Sequence, residues 1–297
     1  MKRITGTRLV TQGVKAGSMT QSVRAVGLAT LCLMASPARA EHRSIPVPAL
    51  LSHKVSYTLG LARLKAGSLA AASGHATYQL RDLCDVWSVS QKLEVQITSG
   101  DGSTSLVSYE SATLENKKGH SFLFRTVQTQ DGETTSETAG EARRRRDGRV
   151  IVHFTKPEPA TLTLPARVFF PMQFTGVLLD AAHRGLLHMQ SDIFDGASTD
   201  GATPNYATLG TLRAAKPDMD SASLPSAVFQ GQSAVPVTVA SFGGGETSLL
   251  PDSTYSDRLW TNGVEDRLLI DFGDYVLSGQ IETLTPVAPA HCASVSR

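Results

Sequence analysis

Apolar and polar residues alternate with a period of two along most of this chain. The apolar members of three such runs are Val55, Tyr57 and Leu59; Leu93, Val95 and Ile97; and Phe122 and Phe124. Alternation of this kind is typical of strands that bury one face. Turn-forming pairs separate the runs, at 99–102, 118–119, 131–132, 147–148 and 262–263. Together they predict an all-β, mainly antiparallel fold in which a single meandering sheet curls on itself, as an open barrel does.

Residues 171–185 follow a helical period instead. Pro171 suits the first turn of a helix, and Gly185 suits its C-terminal end. Four apolar residues fall on one face, namely Phe174, Val177, Leu178 and Ala181. We expect one amphipathic helix packed against the curled sheet, with a mobile lid as the alternative. The stretch 202–235, rich in Ala, Pro, Ser and Asp, is expected to form loops.

The first 40 residues have the order of a secretory signal peptide. They contain six Lys and Arg, no acidic residue, an apolar run at 25–35 and Ala38-Arg39-Ala40 before the predicted cut. The apolar run is shorter than the ~20 residues of a membrane anchor. We therefore predict a signal peptide at 1–40, an extended lead-in at 41–50, one β domain at 51–292 and a tail at 293–297. Translation could start at Met1 or at Met19.

Removal of the leader changes the charge of the chain. The 257 remaining residues carry 22 Lys and Arg against 27 Asp and Glu, a net charge of −5. This charge argues against nucleic acid as a partner and against general adhesion to an anionic membrane. No second long apolar segment follows, so we expect no transmembrane anchor after cleavage. The predicted location is the periplasm.

Two cysteines, Cys84 and Cys292, remain after Cys32 is lost with the leader. In an oxidising compartment they can join and close a loop of about 209 residues. A redox-active thiol pair is the alternative, but the close Cys-x-x-Cys spacing of such pairs is missing.

No catalytic or metal-binding motif stands out, so we predict no enzyme, no cofactor and no metal site. His183 and His188 are not spaced to share a helical face, and the Asp-rich turn at 192–200 lacks the closing Glu of a calcium loop. A hydrolase using Asp271 and Asp274 is the remaining enzymatic hypothesis. Residues three apart in a strand point to opposite faces, which disfavours it.

The strongest run of charge consists of Arg143, Arg144, Arg145 and Arg146. As an interaction patch it would contact lipid phosphates or an acidic partner. The alternative is an exposed strand end whose like charges discourage edge pairing.

Several aromatic residues could line an apolar groove on the concave side of the sheet: Phe122, Phe124, Phe169, Phe170, Phe174 and Trp260. A groove of this kind would suit a carrier of a lipid or lipoprotein. Filling the core is the competing role.

Longer motifs resemble the EipB-like periplasmic proteins of alphaproteobacteria. The main resemblance lies in the run 255–279, which contains Asn262-Gly263-Val264 and Asp271-Phe272-Gly273-Asp274-Tyr275. Three shorter motifs also match: Phe170-Pro171 with Ala181-Ala182, Phe194-Asp195-Gly196, and Gly119-x-x-Phe122-x-Phe124. It extends from about Leu50 to Cys292. Phe174 departs from the polar residue or His expected at the helix entry.

The resemblance implies a β-spiral with a helix tucked against it, stapled by a disulfide between the two cysteines. It also implies a non-catalytic role in envelope integrity and stress resistance. The implied partner is a periplasmic tetratricopeptide-repeat protein.

Overall fold

Strands make up most of the fold in the computed structural model, which describes residues 47–65, 69–217, 225–243, 250–288, 290 and 292. All of these residues belong to one compact unit. The predicted signal peptide, most of the lead-in and the tail at 293–297 lie outside the described residues. The described residues form sixteen strands: β1 (His53–Leu64), β2 (Leu69–Asp82), β3 (Val86–Ser99), β4 (Thr104–Asn116), β5 (Ser121–Gln130), β6 (Glu133–Arg144), β7 (Val150–Lys156), β8 (Ala160–Leu164), β9 (Val168–Phe169), β10 (His188–Ile193), β11 (Thr203–Leu209), β12 (Arg213–Ala214), β13 (Ser233–Ser241), β14 (Ser253–Trp260), β15 (Glu265–Asp271) and β16 (Tyr275–Pro286).

The strands pair into one sheet that nearly closes on itself. Strands β1 to β8 form a consecutive antiparallel meander, and β16 pairs with β1, so the second half of the chain continues the same sheet in the order β16, β15, β14, β13, β11, β10, β9. Strand β12 pairs with β13, and only β9 and β10 are parallel among the described pairs. The two free edges, β8 and β9, are consecutive in the chain. The prediction of a single curled, mainly antiparallel sheet is confirmed.

The α-helix α1 (Pro171–His183) follows β9 directly. Phe174, Leu178 and Ala181 are buried, as the helical period predicts, whereas Val177, the fourth residue of the predicted face, is half-buried. Gly185, at φ +70°, follows the helix end. These side chains form one core cluster with Leu80 of β2, Leu259 of β14 and other residues from both halves of the sheet. The helix therefore lies on the inner side of the curl. Among the described residues, no helix is long and apolar enough to cross a bilayer.

The prediction of loops throughout 202–235 is wrong in part. The chain there forms β11, β12, a short 3₁₀ helix at Ser226–Phe229 and the start of β13. In β11 the buried positions are Asn205, Ala207 and Leu209. Because polar and small residues occupy two of these positions, the sequence lacks the β-branched signal of a strand, and pairing with β10 and β13 decides the structure.

A disulfide joins Cys84 to Cys292, with the two Cα atoms 5.7 Å apart. Cys84 occupies the turn between β2 and β3, at φ +70°, and its backbone N–H donates to the Asp82 carboxylate. The segment after β16 crosses the same end of the sheet, because the N–H of Val287 donates to the Ser52 carbonyl. The bond thus fastens the C-terminal segment over the end of β2.

Replacing both cysteines, in Cys84→Ser/Cys292→Ser, should lower the free energy of unfolding by about 2–4 kcal/mol. The disulfide restricts the unfolded chain over a separation of 208 residues, which is the main source of the effect. Chemical denaturation under oxidising conditions measures the difference. Reductant should bring the wild type to the stability of the double variant and leave that variant unchanged. Equal stability of the two oxidised proteins would contradict the prediction.

Candidate functional site

Arg144, the last residue of β6, is fastened to the backbone rather than presented to solvent. It is half-buried, and its guanidinium donates to four carbonyl oxygens: Gly119 at 3.0 Å, Gly148 at 3.1 Å, Ala166 at 3.0 Å and Val168 at 2.7 Å. These acceptors belong to the β4–β5 turn, the β6–β7 turn, the β8–β9 connection and the first residue of β9. A single side chain therefore joins three connections next to the open seam, the gap between the free edges β8 and β9.

The other three arginines of the run are exposed. Arg143 lies 2.8 Å from Glu141, and Arg145 and Arg146 occupy the tight turn that follows β6. The run therefore does not form a patch of four equivalent side chains. Arg144 belongs to the interior, and the other three belong to the surface.

Glu115 near the end of β4 holds the beginning of the helix. Its side chain is 1 % exposed, and its two carboxylate oxygens accept the backbone N–H groups of Met172 and Gln173, each at 2.7 Å. These are first-turn donors with no partner inside the helix, and the helix dipole favours a negative charge there. The Gln173 amide oxygen in turn accepts from Arg144 and from the N–H of Phe170, both at 3.4 Å.

Burial raises the pKa of Glu115 to about 8. The two backbone N–H donors and the positive charge of Arg144 act in the opposite direction. These partners offset only part of the desolvation cost, so Glu115 retains its proton at pH values where an exposed glutamate is ionised.

The aromatic residues predicted to line a groove lie in three separate packed clusters. Phe122 stacks with both Phe170 and Phe124, its ring centroid lying 5.0 Å from that of Phe170 and 5.7 Å from that of Phe124. Phe174 and Phe169 pack in the helix cluster instead. Trp260 lies in a third cluster, 4.6 Å from the Phe229 ring. The structure does not bring the set together on one surface.

The Phe194-Asp195-Gly196 motif serves the phenylalanine cluster. Gly196 has φ +74°, and a Cβ at this position would lie 2.4 Å from the Phe124 ring. Only glycine fits such a close approach in that conformation. The Asp195 carboxylate accepts the N–H of Ala197 and closes the local turn.

A pair of carboxyl groups, Asp257 and Glu265, lies inside the C-terminal half of the sheet. The Glu265 carboxylate accepts from the Tyr255 hydroxyl at 2.6 Å, and its backbone carbonyl accepts from Tyr57 at 2.8 Å. Burial, followed by the charge of Glu265, raises the pKa of Asp257, and burial also raises the pKa of Glu265. One Asp257 oxygen has no hydrogen-bond partner among the described residues. The charge of Glu265 therefore disfavours ionisation of Asp257.

The other polar residues considered for chemistry have local structural partners. His183 contacts the Leu179 carbonyl within the helix, and His188 stacks on Tyr206. Asp271 forms an ion pair with Lys65 and accepts the N–H of Gly273. Across the described ranges, no group of three or more His, Cys, Asp or Glu side chains could hold a metal ion.

Sequence reasoning did not identify Glu115, although a signal for it exists. Alternation along β4 assigns Ser111, Thr113 and Glu115 to one face, and Ser111 is buried. A carboxylate at a position of that face requires an internal partner. The sequence contains no comparable signal that Arg144 binds backbone carbonyls, because its neighbours in the run are also arginines.

Arg144→Ala should lower the free energy of unfolding by about 3 kcal/mol, because four carbonyl oxygens lose their donor and Glu115 loses a nearby positive charge. Arg144→Lys should recover only part of the loss, since an ammonium cannot span the same acceptors. Arg145→Ala and Arg146→Ala are the matched controls and should stay within about 0.5 kcal/mol of wild type. Urea denaturation of the four variants gives the comparison. Similar losses at positions 144 and 145 would refute the assignment.

Glu115→Gln should change how stability depends on pH. Glutamate has an ordinary pKa of 4.5, and burial raises the pKa of Glu115 to about 8, so between these values the folded state retains a proton that the unfolded state releases. Wild-type stability should therefore fall as pH rises from about 5 to about 8, by up to about 1.4 kcal/mol per pH unit, relative to the Gln variant. Parallel pH profiles of the two proteins would show that Glu115 does not titrate in this way.

Comparisons with known proteins agree with this architecture. The model of the EipB-like family matches residues 45–288. The cell envelope integrity protein EipB of Brucella abortus (strain 2308) is 25 % identical over 239 residues, covering 79 % of this chain and 84 % of the relative. A crystal structure of a β-barrel-like protein of a domain of unknown function, also from Brucella abortus, superimposes with a TM-score of 0.74 at 22 % identity, covering 81 % of this chain and all of that one. Because the family model spans most of the chain, this protein belongs to the EipB-like family.

Proposed function

We propose that this protein supports the integrity of the cell envelope from the periplasm, as a non-catalytic protein that acts through contacts with other envelope proteins. The observation that carries the proposal is the disulfide between Cys84 and Cys292. Bonds of this kind persist in oxidising compartments outside the cytoplasm. The name of the Brucella relative, a cell envelope integrity protein, supports the same role.

The use of buried polar groups supports a structural rather than a catalytic role. Glu115 binds the first turn of the helix, Arg144 binds four backbone carbonyls, and the His53 ring contacts the Leu51 carbonyl at 2.7 Å. Side chains that could act as acids, bases or electrostatic stabilisers are thus engaged in fastening the fold. Catalytic groups, by contrast, are typically arranged around a space that a substrate can enter.

Action through surface contacts is favoured over transport of a ligand inside the sheet. Carriage of a lipid or lipoprotein, the competing function, would need an open apolar groove. The aromatic residues suited to such a groove fill the core instead, where Phe122, Phe124 and Trp260 are no more than 2 % exposed. The family resemblance suggests a periplasmic tetratricopeptide-repeat protein as the contact.

Deletion of the gene should make the bacterium sensitive to detergents that attack the envelope. A plasmid copy of the wild type should restore resistance, whereas the Cys84→Ser/Cys292→Ser variant should restore less, because its less stable fold is degraded faster. Survival on detergent plates, with immunoblots of protein level, measures both effects. Unchanged resistance of the deletion strain would overturn the proposed function.

The contact hypothesis needs a separate test. A photo-crosslinking residue placed at exposed surface positions should trap discrete protein adducts in living cells. Arg145 and Leu187, both exposed, are suitable positions on different turns, and the buried Phe122 is the matched control. Absence of adducts from every exposed position would contradict action through protein contacts.

A further inference from the structure

The distribution of charge at one end of the sheet points to a docking surface. In an antiparallel meander, alternate turns lie at the same end, so the β2–β3, β4–β5 and β6–β7 turns are neighbours. Arg144 draws the second and third of these turns together with the β8–β9 connection, through the carbonyls of Gly119, Gly148 and Ala166. The disulfide fastens the β2–β3 turn, through Cys84, to the C-terminal segment. The end of the sheet is therefore a rigid platform.

Exposed cations are concentrated on this platform. We define the basic rim as six exposed side chains on these connections and the adjoining end of β6: Lys118, Arg143, Arg145, Arg146, Arg149 and Arg167. Four carboxylates lie at the same end: Glu141 at 2.8 Å from Arg143, Asp147 at 2.8 Å from Arg149, Asp82 paired with Lys117, and the exposed Asp85 of the β2–β3 turn. The chain after the predicted leader carries a net charge of −5, so the excess of positive charge here is local.

An apolar element lies beside the basic rim. Leu114 of β4 and Leu123 of β5 are direct cross-strand partners close to the β4–β5 turn. The neighbouring Glu115 points inward, so these leucines point outward, and they are 38 % and 49 % exposed. Cations next to exposed leucines are the combination that binds the boundary between lipid headgroups and acyl chains.

We propose that the basic rim, with Leu114 and Leu123 at its side, docks this protein onto the surface of an anionic phospholipid membrane. Cations carried on separate turns are spread over an area, and an extended anionic surface can meet many of them at once. A single phosphate ion would instead need donors that converge on one point. Net repulsion between the acidic remainder of the protein and the membrane orients the molecule with its rim toward the lipid.

Vesicle sedimentation tests the proposal with the full chain that follows the predicted signal peptide. The protein should bind vesicles of phosphatidylcholine with about 30 % phosphatidylglycerol and should not bind pure phosphatidylcholine. Raising the salt concentration from about 50 to about 300 mM should weaken the binding, because exposed charges are then screened. Binding to both kinds of vesicle alike would overturn the role of the cations.

Charge reversal locates the surface. Arg145→Glu/Arg146→Glu should reduce binding at least about tenfold, since each reversal removes an attraction and adds a repulsion. The matched control is Arg63→Glu/Lys156→Glu, which changes the net charge by the same amount. Both residues are exposed and lie at the end of the sheet opposite the basic rim, Arg63 in β1 and Lys156 in β7. The control should bind like wild type, and an unchanged melting temperature shows that each variant is folded. Equal effects of the two double variants would refute docking through the rim.

Two further outcomes would replace the membrane with another ligand. Release from vesicles by millimolar inorganic phosphate, but not by chloride at the same ionic strength, would indicate a phosphate site. Failure to bind anionic vesicles, together with loss of a protein crosslink in Arg145→Glu/Arg146→Glu, would indicate an acidic protein. Either result would overturn the proposal, and neither bears on the detergent sensitivity that tests the proposed function.

Discussion

The pairing of β1 with β16 is the constraint on which the rest of the architecture depends. The two strands run side by side from His53 opposite Pro286 to Leu64 opposite Tyr275. Their pairing joins the meander β1–β8 and the strands β9–β16 into one continuous curled sheet that encloses the helix. Without this pairing, the cluster around Leu178 would lose the partners that the meander β1–β8 provides, among them Leu80 and Trp87. The disulfide lies at the end of the same pair and reinforces it.

The open seam between β8 and β9 is closed in a different way. Because these edges are consecutive in the chain, only the short connection 165–167 separates them. The guanidinium of Arg144 supplies several donors where backbone pairing ends, and the carboxyl group of Glu115 supplies two acceptor oxygens where the helix begins. Unsatisfied backbone groups collect at both places, and each of these polar side chains satisfies several of them at once. The low polarity of the surroundings strengthens each contact and makes its loss costly.

Much of the fold could be predicted from the sequence because the strongest local signals agree with it. Alternation at Val55, Tyr57 and Leu59 and the helical period from Phe174 to Ala181 both match buried faces. Strands β2 and β11 were harder to see, since Ala72, Ala76 and Ala207 give little hydrophobic contrast. Their pairing depends on neighbours far along the chain, which a local pattern does not contain.

The candidate site was less predictable for a related reason. The four arginines are identical in sequence, and only the convergence of three connections distinguishes Arg144 from its neighbours. The aromatic residues look alike in the sequence as well, yet they separate into clusters set by sheet curvature. The place of a residue in the curled sheet, rather than its type, therefore decides which groups it contacts.

The β1–β16 pairing also sets the order in which the molecule can be completed. A chain that emerges from its N-terminus delivers β1 early and β16 last, so one edge of β1 waits without its partner for more than 200 residues. Unpaired edges of this kind invite association between chains. Contacts so distant in sequence also form slowly. A newly made molecule therefore passes through a vulnerable interval that ends only when its last strand arrives, and the cysteine near the C-terminus is available to lock the wall at that moment.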